Sequence, residues 1–144
     1  MEAHYYNIDV KWTSDRKGIL SSPELPSSIE VATPPQFPKG IEGVWSPEHF
    51  YTAAISSCLM TTFLSIAEFS KLEFKSFSCK ASGKLDQVEG KLLMTEVHLE
   101  PTVVIGDEAL REKTEKLLHK SEAACLISNS VKAKVTMTPI IVVG

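Results

Sequence analysis

Residues 46–59 read Ser-Pro-Glu-His-Phe-Tyr-Thr-Ala-Ala-Ile-Ser-Ser-Cys-Leu, and this stretch decides the fold. Ser46 is a good N-cap residue, Pro47 suits the first helical position, and Glu48 complements the positive end of the helix dipole. No helix-breaking residue follows until about Ser70, so the pattern predicts one long helix. Because its middle carries no charged face, we expect the helix to be buried on most sides, by sheet or by a partner subunit.

Short strands are predicted before this helix. Apolar and polar residues alternate over 6–12, which indicates a half-buried strand, and a turn at 15–18 follows, with Gly18 supplying conformational freedom. Two more short strands are expected at 19–22 and 29–32. Residues 33–40 contain three prolines and predict an extended surface loop.

The second half of the chain predicts a hairpin, a helix and a closing strand. Two long alternating strands fill 72–105, with a hairpin turn at 86–90. A second helix is expected from Asp107 to about Ala124, and Asn129 can stop it in a left-handed conformation. Alternation over 131–138 predicts the last strand. This order indicates an α+β fold with mixed or antiparallel sheets, in a single domain over residues 1–144.

Composition excludes several classes of protein. The chain has 15 basic and 18 acidic residues and a net charge of −3, which argues against nucleic acid as the main partner. No uninterrupted apolar run approaches the ~20 residues that cross a bilayer, so no membrane-spanning segment is expected. The N-terminal residues have neither the basic nor the apolar region of a secretory signal. We therefore expect a cytoplasmic protein.

Three cysteines, Cys58, Cys79 and Cys125, are the candidates for chemistry. Cys79 falls on the apolar side of a predicted strand and is interpreted as structural. Each of the other two is either a buried small hydrophobe or a working thiol. If they meet, one could be oxidised by a peroxide and the other could resolve the product as a disulfide.

A thiolate of this kind needs a cation beside it and a carboxylate to fix that cation. Arg16 and Glu48 are residues of the right type, although spacing alone does not pair them. His49 and His119 lack metal-ligand spacing to any other ligand set and are interpreted as ordinary polar residues.

Two stretches resemble the OsmC/Ohr family, the osmotically inducible protein C and organic hydroperoxide resistance proteins. The family pattern places Pro-Glu at a helix start and a cysteine ten residues after the glutamate, as Pro47, Glu48 and Cys58 stand here. The second family stretch, Ala-Glu-x-x-Cys-Pro-x-Ser, is similar to residues 121–130 around Cys125. Leu126 departs from the pattern, since the family has proline there.

The resemblance implies a thiol-dependent peroxidase that reduces organic hydroperoxides. Cys58 would be the peroxidatic thiol and Cys125 the resolving thiol, with Arg16 and Glu48 as the cation and its orienting carboxylate. Lys17 stands next to Arg16 and is an alternative cation. The resemblance also implies an OsmC-like intertwined homodimer with sheets around central helices, and a small or protein dithiol as reductant. No motif implies a cofactor or a metal, and the composition argues against a nucleic-acid or membrane partner.

Helix geometry bears on how the site is assembled. Ten residues place Glu48 about 15 Å from Cys58 along a straight helix, and about 80° away around its axis. One straight helix cannot supply both groups to one site, so we expect Glu48 to come from the second subunit. Two other interpretations remain open, a non-enzymatic binder of a small apolar ligand in the inter-subunit cavity and a structural interaction module.

Overall fold

The structure is a computed structural model that describes all of residues 1–144. It contains seven strands and two α-helices, so the α+β prediction with mixed and antiparallel sheets is confirmed. The strands are β1 (Asp9–Ser14), β2 (Lys17–Ser22), β3 (Leu25–Ala32), β4 (Ser76–Val88), β5 (Lys91–Ile105), β6 (Lys134–Met137) and β7 (Ile140–Val143); the helices are α1 (Pro47–Phe69) and α2 (Arg111–Ala124). The chain divides into two compact units, residues 1–50 and 51–144. The assignment of the whole chain to one domain stays a prediction.

Strands β1, β2 and β3 form an antiparallel sheet in the first unit. Asp15 turns the chain between β1 and β2 with a positive φ of 47°. Gly18 lies in β2 opposite Trp12, and a Cβ there would stand 2.7 Å from the Lys11 carbonyl oxygen. The predicted turn is therefore correct, but the glycine is needed for close approach of two backbones and not for conformational freedom.

The first strand is not half-buried, contrary to the prediction. It begins at Asp9, and every residue of β1 is exposed within this chain, including Trp12 at 74%. Period-2 alternation is present, but nothing in the chain covers its apolar side.

The proline-rich stretch is more compact than the predicted extended loop. The Ile41 amide donates to the Thr33 carbonyl at 2.9 Å, and the Phe37 amide donates to the Pro34 carbonyl at 3.1 Å. These bonds close residues 33–41 into a tight loop beside the start of α1.

Helix α1 runs unbroken over 23 residues, close to the predicted bounds. It is not buried on most sides within the chain. The buried residues follow one stripe at a spacing of three or four, which is the pattern of a helix with one covered face. That stripe comprises Ile55, Cys58, Leu59, Phe63 and Ala67.

Helix α1 meets the length and composition criterion for a membrane-spanning helix, which the sequence analysis did not expect. By length and composition alone it could cross a membrane, because residues 50–67 contain no charged side chain. Core helices of water-soluble proteins meet the same criterion, so this is weak evidence for a membrane.

Strands β4 and β5 form the predicted long hairpin. The connection is the two-residue turn Glu89–Gly90, with φ of 49° and 78°. Positive φ at both positions gives the type of turn whose twist matches that of the flanking strands. The predicted closing strand over 131–138 corresponds to β6, and a further strand that was not predicted, β7, follows it. Both lie parallel to β5, at successive positions along it.

The core of the second unit lies between this sheet and the two helices. Phe63 of α1 is fully buried and contacts Phe74 and Phe77, each with ring centroids 5.3 Å apart. Leu117 and Leu118 of α2 join the same cluster. Burying an aromatic side chain of this kind stabilises the fold by about 1.5–3 kcal/mol, and this packing fixes the helix face that carries Cys58.

The end of α2 differs from the prediction in one detail. Asn129 does not adopt a left-handed conformation. Its side-chain amide instead donates to the Ala123 carbonyl at 3.2 Å. The helix ends at Ala124, and Cys125 leaves it in an extended conformation with ψ of 111°. The predicted start at Asp107 is a short 3-10 turn capped by that aspartate, ahead of α2.

Candidate functional site

The N-terminus of α1 is held by a reciprocal cap that sequence reasoning only half recognised. The Ser46 hydroxyl accepts from the His49 amide at 3.2 Å, and His49 Nδ1 accepts from the Ser46 amide at 3.2 Å. Ser46 Oγ also lies 2.7 Å from His49 Nδ1, and Ser46 is fully buried. His49 thus plays the part that glutamate or glutamine has in a capping box. The cap fixes the first helical turn, which carries Glu48.

A cavity of about 610 Å³ lies in the first unit and contains three of the predicted site groups. Arg16 and Lys17 supply two cations, and Glu48 supplies a carboxylate. Most of the remaining wall is apolar. It includes Val10, Trp12, Val31, Pro34 and Phe37.

The two candidate cations are held differently. Lys17 Nζ lies 3.3 Å from Glu30 Oε2, so its charge already has a partner on the neighbouring strand. The Arg16 carbonyl accepts from the Thr33 amide at 3.1 Å, and the Trp12 indole donates to the Asp15 carbonyl at 2.9 Å. These bonds fix the turn that carries Arg16. The geometry favours Arg16 over Lys17 as the cation available to a ligand.

In the second unit, the structure brings together Cys58 and Cys125. Cys58 lies on the buried stripe of α1 and is 9% exposed, and Cys125 at the end of α2 is fully buried. Both are free thiols, and hydrogen bonding between them contributes to the pKa shift of each. Cys58 Sγ also lies 3.9 Å from Thr62 Oγ1, one turn further along the helix.

The environment of Cys58 lowers its pKa. Burial alone raises it, but four hydrogen bonds to the sulfur together outweigh burial. Their donors are the Cys125 thiol, the Ile127 amide, the Thr62 hydroxyl and the Leu126 amide.

The pKa of Cys125 moves the opposite way. Burial raises it, and so does the hydrogen bond that this thiol makes with Cys58. The Ser128 amide and hydroxyl lower it by less, and the hydroxyl is buried without a hydrogen bond of ordinary geometry. Of the two thiols, Cys58 is therefore the one that ionises first as the pH rises.

The other residues of the sequence analysis lie outside these two groups. Burial raises the pKa of Cys79, which is the reverse of what activates a thiol. His119 is exposed and lies 4.0 Å from Glu115. The chain contains no group of three or more histidine, cysteine or acidic side chains placed to hold a metal ion.

Sequence reasoning missed the backbone donors around Cys58. The pattern of side chains contains no signal for the amides of Leu126 and Ile127, because their direction depends on how the chain turns after α2. The one available hint was Leu126 itself, which restores an N–H group where the resembled pattern has proline.

Comparison with known proteins places the chain in a family. The family model described as OsmC-like protein matches residues 40–139, which include both cysteines of the pair. The chain belongs to the OsmC-like family. The resemblance inferred from Pro47, Glu48 and Cys58 is thereby confirmed, as is the OsmC-like fold.

Individual relatives agree with this assignment. An uncharacterised protein of Bacillus subtilis, YmaD, is 24% identical over 145 residues, covering 95% of this chain and 93% of its own. An OsmC-like protein of unknown function from Vibrio cholerae is 28% identical, with a TM-score of 0.86 over 96% of this chain and 100% of its own. An organic hydroperoxide resistance protein OsmC from Legionella pneumophila is 18% identical, with a TM-score of 0.77 over 99% of this chain and 100% of its own.

Proposed function

We propose that this protein is a cysteine-based peroxidase that reduces organic hydroperoxides. The observation that carries the proposal is that two buried cysteines shift each other's pKa, that of Cys58 downwards and that of Cys125 upwards. Membership of the OsmC-like family supports it, as does the fold shared with the Legionella hydroperoxide resistance protein.

In the first step the Cys58 thiolate attacks an oxygen of the hydroperoxide. A sulfur–oxygen bond forms and the oxygen–oxygen bond breaks, so Cys58 becomes a sulfenic acid and the peroxide leaves as an alcohol after taking up a proton. The surroundings of Cys58, which include Ile55 and Leu59, are apolar and favour an alkyl peroxide over hydrogen peroxide.

In the second step Cys125 attacks the sulfenic sulfur. A disulfide forms between Cys58 and Cys125, and the hydroxyl group leaves as water. Because the two thiols are near enough to shift each other's pKa, the bond can close without a large rearrangement. A small or protein dithiol then restores both thiols by two exchange steps and is itself oxidised to a disulfide.

Arg16 and Glu48 have supporting roles in this proposal. Arg16 binds the peroxide oxygen and stabilises the thiolate, and Glu48 orients its guanidinium group. Both residues line the cavity of the first unit, which supports their acting together.

We further propose a homodimer with shared sites. In each site, one subunit supplies Arg16 and Glu48, and the other subunit supplies the thiol pair. Helix α1 is unbroken between Glu48 and Cys58, so the two side chains of one chain stay about 15 Å apart. The helix face opposite the buried stripe is uncharged from Ala54 to Leu64, and Leu64 is 41% exposed. A second copy packed on that face would bury it. A single OsmC-like domain over residues 1–144 and a cytoplasmic location complete the proposal.

A second candidate is a non-enzymatic binder of a small apolar ligand. The cavity of the first unit favours it, because a volume of about 610 Å³ with a largely apolar wall suits a small organic molecule. In that case the thiols would be incidental to function.

Peroxide turnover decides between the two. The reduced protein is mixed with cumene hydroperoxide and excess dithiothreitol, and loss of peroxide is followed. The proposal expects turnover in the wild type and in a Cys79→Ser control, and its loss in Cys58→Ser, because a serine hydroxyl is far less nucleophilic. Wild-type turnover in a folded Cys58→Ser variant would refute the proposed peroxidase activity. Stoichiometric binding of cumene hydroperoxide by the wild type, without turnover, would favour the non-enzymatic binder.

A further inference from the structure

One hydroxyl group of α1 differs from its neighbours in what it bonds. Ser57 donates its hydroxyl to the Ala53 carbonyl at 2.7 Å, and Thr61 donates to the Cys58 carbonyl at 3.2 Å. A carbonyl three or four residues earlier is the usual acceptor for a hydroxyl on a helix. Thr62 donates to no carbonyl, and its Oγ1 lies 3.9 Å from Cys58 Sγ, which is hydrogen-bond distance for an atom as large as sulfur.

The position of Thr62 follows from the period of the helix. Residues four apart lie one turn apart on the same face, so the side chains of Cys58 and Thr62 are neighbours. Cys58 is buried and Thr62 is half-buried. A partly buried hydroxyl that bonds no carbonyl gains stability from another partner, and the sulfur is the partner that the chain provides. Both residues belong to one helix, so their geometry is set before a substrate arrives.

The protonation state of Cys58 decides which atom donates. In the neutral pair, either the thiol or the hydroxyl can supply the hydrogen. After Cys58 ionises, its sulfur can only accept, and the Thr62 hydroxyl becomes the donor. A hydrogen bond to the charged form of a group favours that form. Burial opposes ionisation of Cys58, yet its pKa is lowered, and the hydrogen bond from Thr62 is one of the causes that lower it.

We infer that Thr62 is a catalytic residue, whose hydroxyl donates to the reacting sulfur and stabilises the Cys58 thiolate. The inference rests on the proposed function, which makes Cys58 the nucleophile. Thr62 acts from the same helix as Cys58, whereas Arg16 of the proposed site comes from the other subunit. Part of the activation of Cys58 is therefore built into α1 itself.

One other titratable group has to be kept constant in a test of this role. Burial apart, Cys125 at the end of α2 is the titratable group that bears on the Cys58 pKa. No charged side chain of the chain contributes to that shift. Cys125 is kept in every variant compared, so its contribution is common to all of them.

Substitution at position 62 separates the hydroxyl from the rest of the side chain. Thr62→Val replaces the hydroxyl by a methyl group and keeps the branched shape that stiffens χ1. Thr62→Ser keeps the hydroxyl and removes the methyl group. Thr61→Val is the matched control, because the Thr61 hydroxyl bonds the Cys58 carbonyl and not the sulfur.

The measurement is the pH dependence of Cys58 alkylation in the fully reduced protein, without peroxide. Iodoacetamide is added over about pH 5–10, a range that spans ordinary thiol pKa values, and mass spectrometry quantifies the peptide that contains Cys58. The midpoint is the readout, because a thiolate of higher pKa is also intrinsically more nucleophilic. We expect Thr62→Val to raise the midpoint by about half a pH unit, and Thr62→Ser and Thr61→Val to leave it near the wild-type value.

A second deletion covers misfolding of Thr62→Val. Thr62→Ala also removes the hydroxyl, adds no bulk, and places the best helix former at this position. Circular dichroism confirms that each variant is folded. A midpoint that rises in each folded deletion variant, but not in Thr62→Ser or Thr61→Val, supports the inference. An unchanged midpoint in any folded deletion variant overturns it.

An equal rise in Thr62→Ser or Thr61→Val would also overturn it, because a loss of packing, and not of the donor at the sulfur, would then be responsible. The inference and the proposed function fail in different measurements. Absence of peroxide turnover in the wild type refutes the peroxidase, whereas an unchanged alkylation midpoint in Thr62→Val refutes the role of Thr62 while wild-type turnover persists.

Discussion

Cys58 and Cys125 are both buried, yet their surroundings shift their pKa values in opposite directions. The Cys58 sulfur accepts hydrogen bonds from a thiol, a hydroxyl and two amides, each of which stabilises its anion. Cys125 is the donor within the pair, and ionising it would place a second negative charge beside Cys58. The division of roles between attacking and resolving thiol thus follows from where the donors lie.

Removal of the Cys125 thiol changes the pH at which Cys58 reacts. In the wild type the pKa of Cys58 is lowered, so its thiolate forms at a lower pH than an ordinary thiol's and is lost as pH falls through the lowered pKa. Cys125→Ala deletes the S–H donor, and we expect the midpoint of Cys58 alkylation to move to higher pH. Cys125→Ser keeps a donor and should move it less. A midpoint in Cys125→Ala equal to the wild-type value would contradict this role of Cys125.

At the scale of elements, α1 depends on its cap as well as on its core face. Ser46 is fully buried and serves both as acceptor for the His49 amide and as partner of His49 Nδ1. An N-cap of this kind also holds the carboxylate-bearing first turn in register. Ser46 and His49 therefore determine where the helix begins, although neither residue has a proposed chemical role.

Loss of that cap should destabilise the protein without touching the thiols. We expect Ser46→Ala to lower the free energy of unfolding by about 1 kcal/mol. Ser65→Ala, at an exposed position of the same helix, is the matched control and should change it by less than about 0.5 kcal/mol. Urea unfolding followed by circular dichroism measures both. Equal effects of the two substitutions would show that the Ser46 hydroxyl is not a cap.

The extent to which the elements could be predicted follows from the kind of signal each carries. The bounds of α1 and the β4–β5 hairpin were predictable, because capping residues, proline, glycine and alternation act locally. The extent to which β1 and α1 are buried within one chain was not predictable. The sequence pattern shows which side of an element is apolar, but not whether the same chain covers that side. Strand β7 was also missed, because the predicted alternation ended at Thr138, just before Pro139.

Some groups of the candidate site could likewise be predicted from the sequence, and others could not. Cys58, Cys125, Arg16 and Glu48 were all named from residue type and family resemblance, and the structure brings the cysteines together and places the other two in one cavity. The amides of Leu126 and Ile127 could not be named, since any residue but proline has the same N–H group. His49 was interpreted as an ordinary polar residue, and its role in the cap depends on a ring nitrogen acting as a local acceptor.

At the scale of the whole molecule, much apolar surface remains uncovered within one chain. Tyr6, Trp12 and Phe69 are 82%, 74% and 89% exposed, and they lie on or beside β1 and α1. Exposed apolar patches on a protein surface often mark sites that a partner covers. This surface supports the proposed homodimer.

Subunit mixing tests whether the proposed site is shared. Glu48→Ala and Cys58→Ser are each expected to be inactive alone. In a mixed dimer with shared sites, one site lacks both groups and the other is intact. Refolding the two variants together should therefore restore about a quarter of wild-type turnover, since half of the dimers are mixed and each has one working site. No recovery of activity, or a monomer by sedimentation at micromolar concentration, would contradict the shared site.

The most direct test of the proposed function is the product of a single peroxide equivalent. The reduced protein is treated with one equivalent of cumene hydroperoxide, remaining thiols are blocked, and the cross-linked peptides are identified by mass spectrometry. If Cys58 and Cys125 are a redox pair, the wild type should form one disulfide between them while Cys79 stays reduced. In the Cys125→Ser variant, Cys58 should be trapped as a sulfenic or more highly oxidised acid. Three unreacted thiols after the same treatment would contradict the peroxidase.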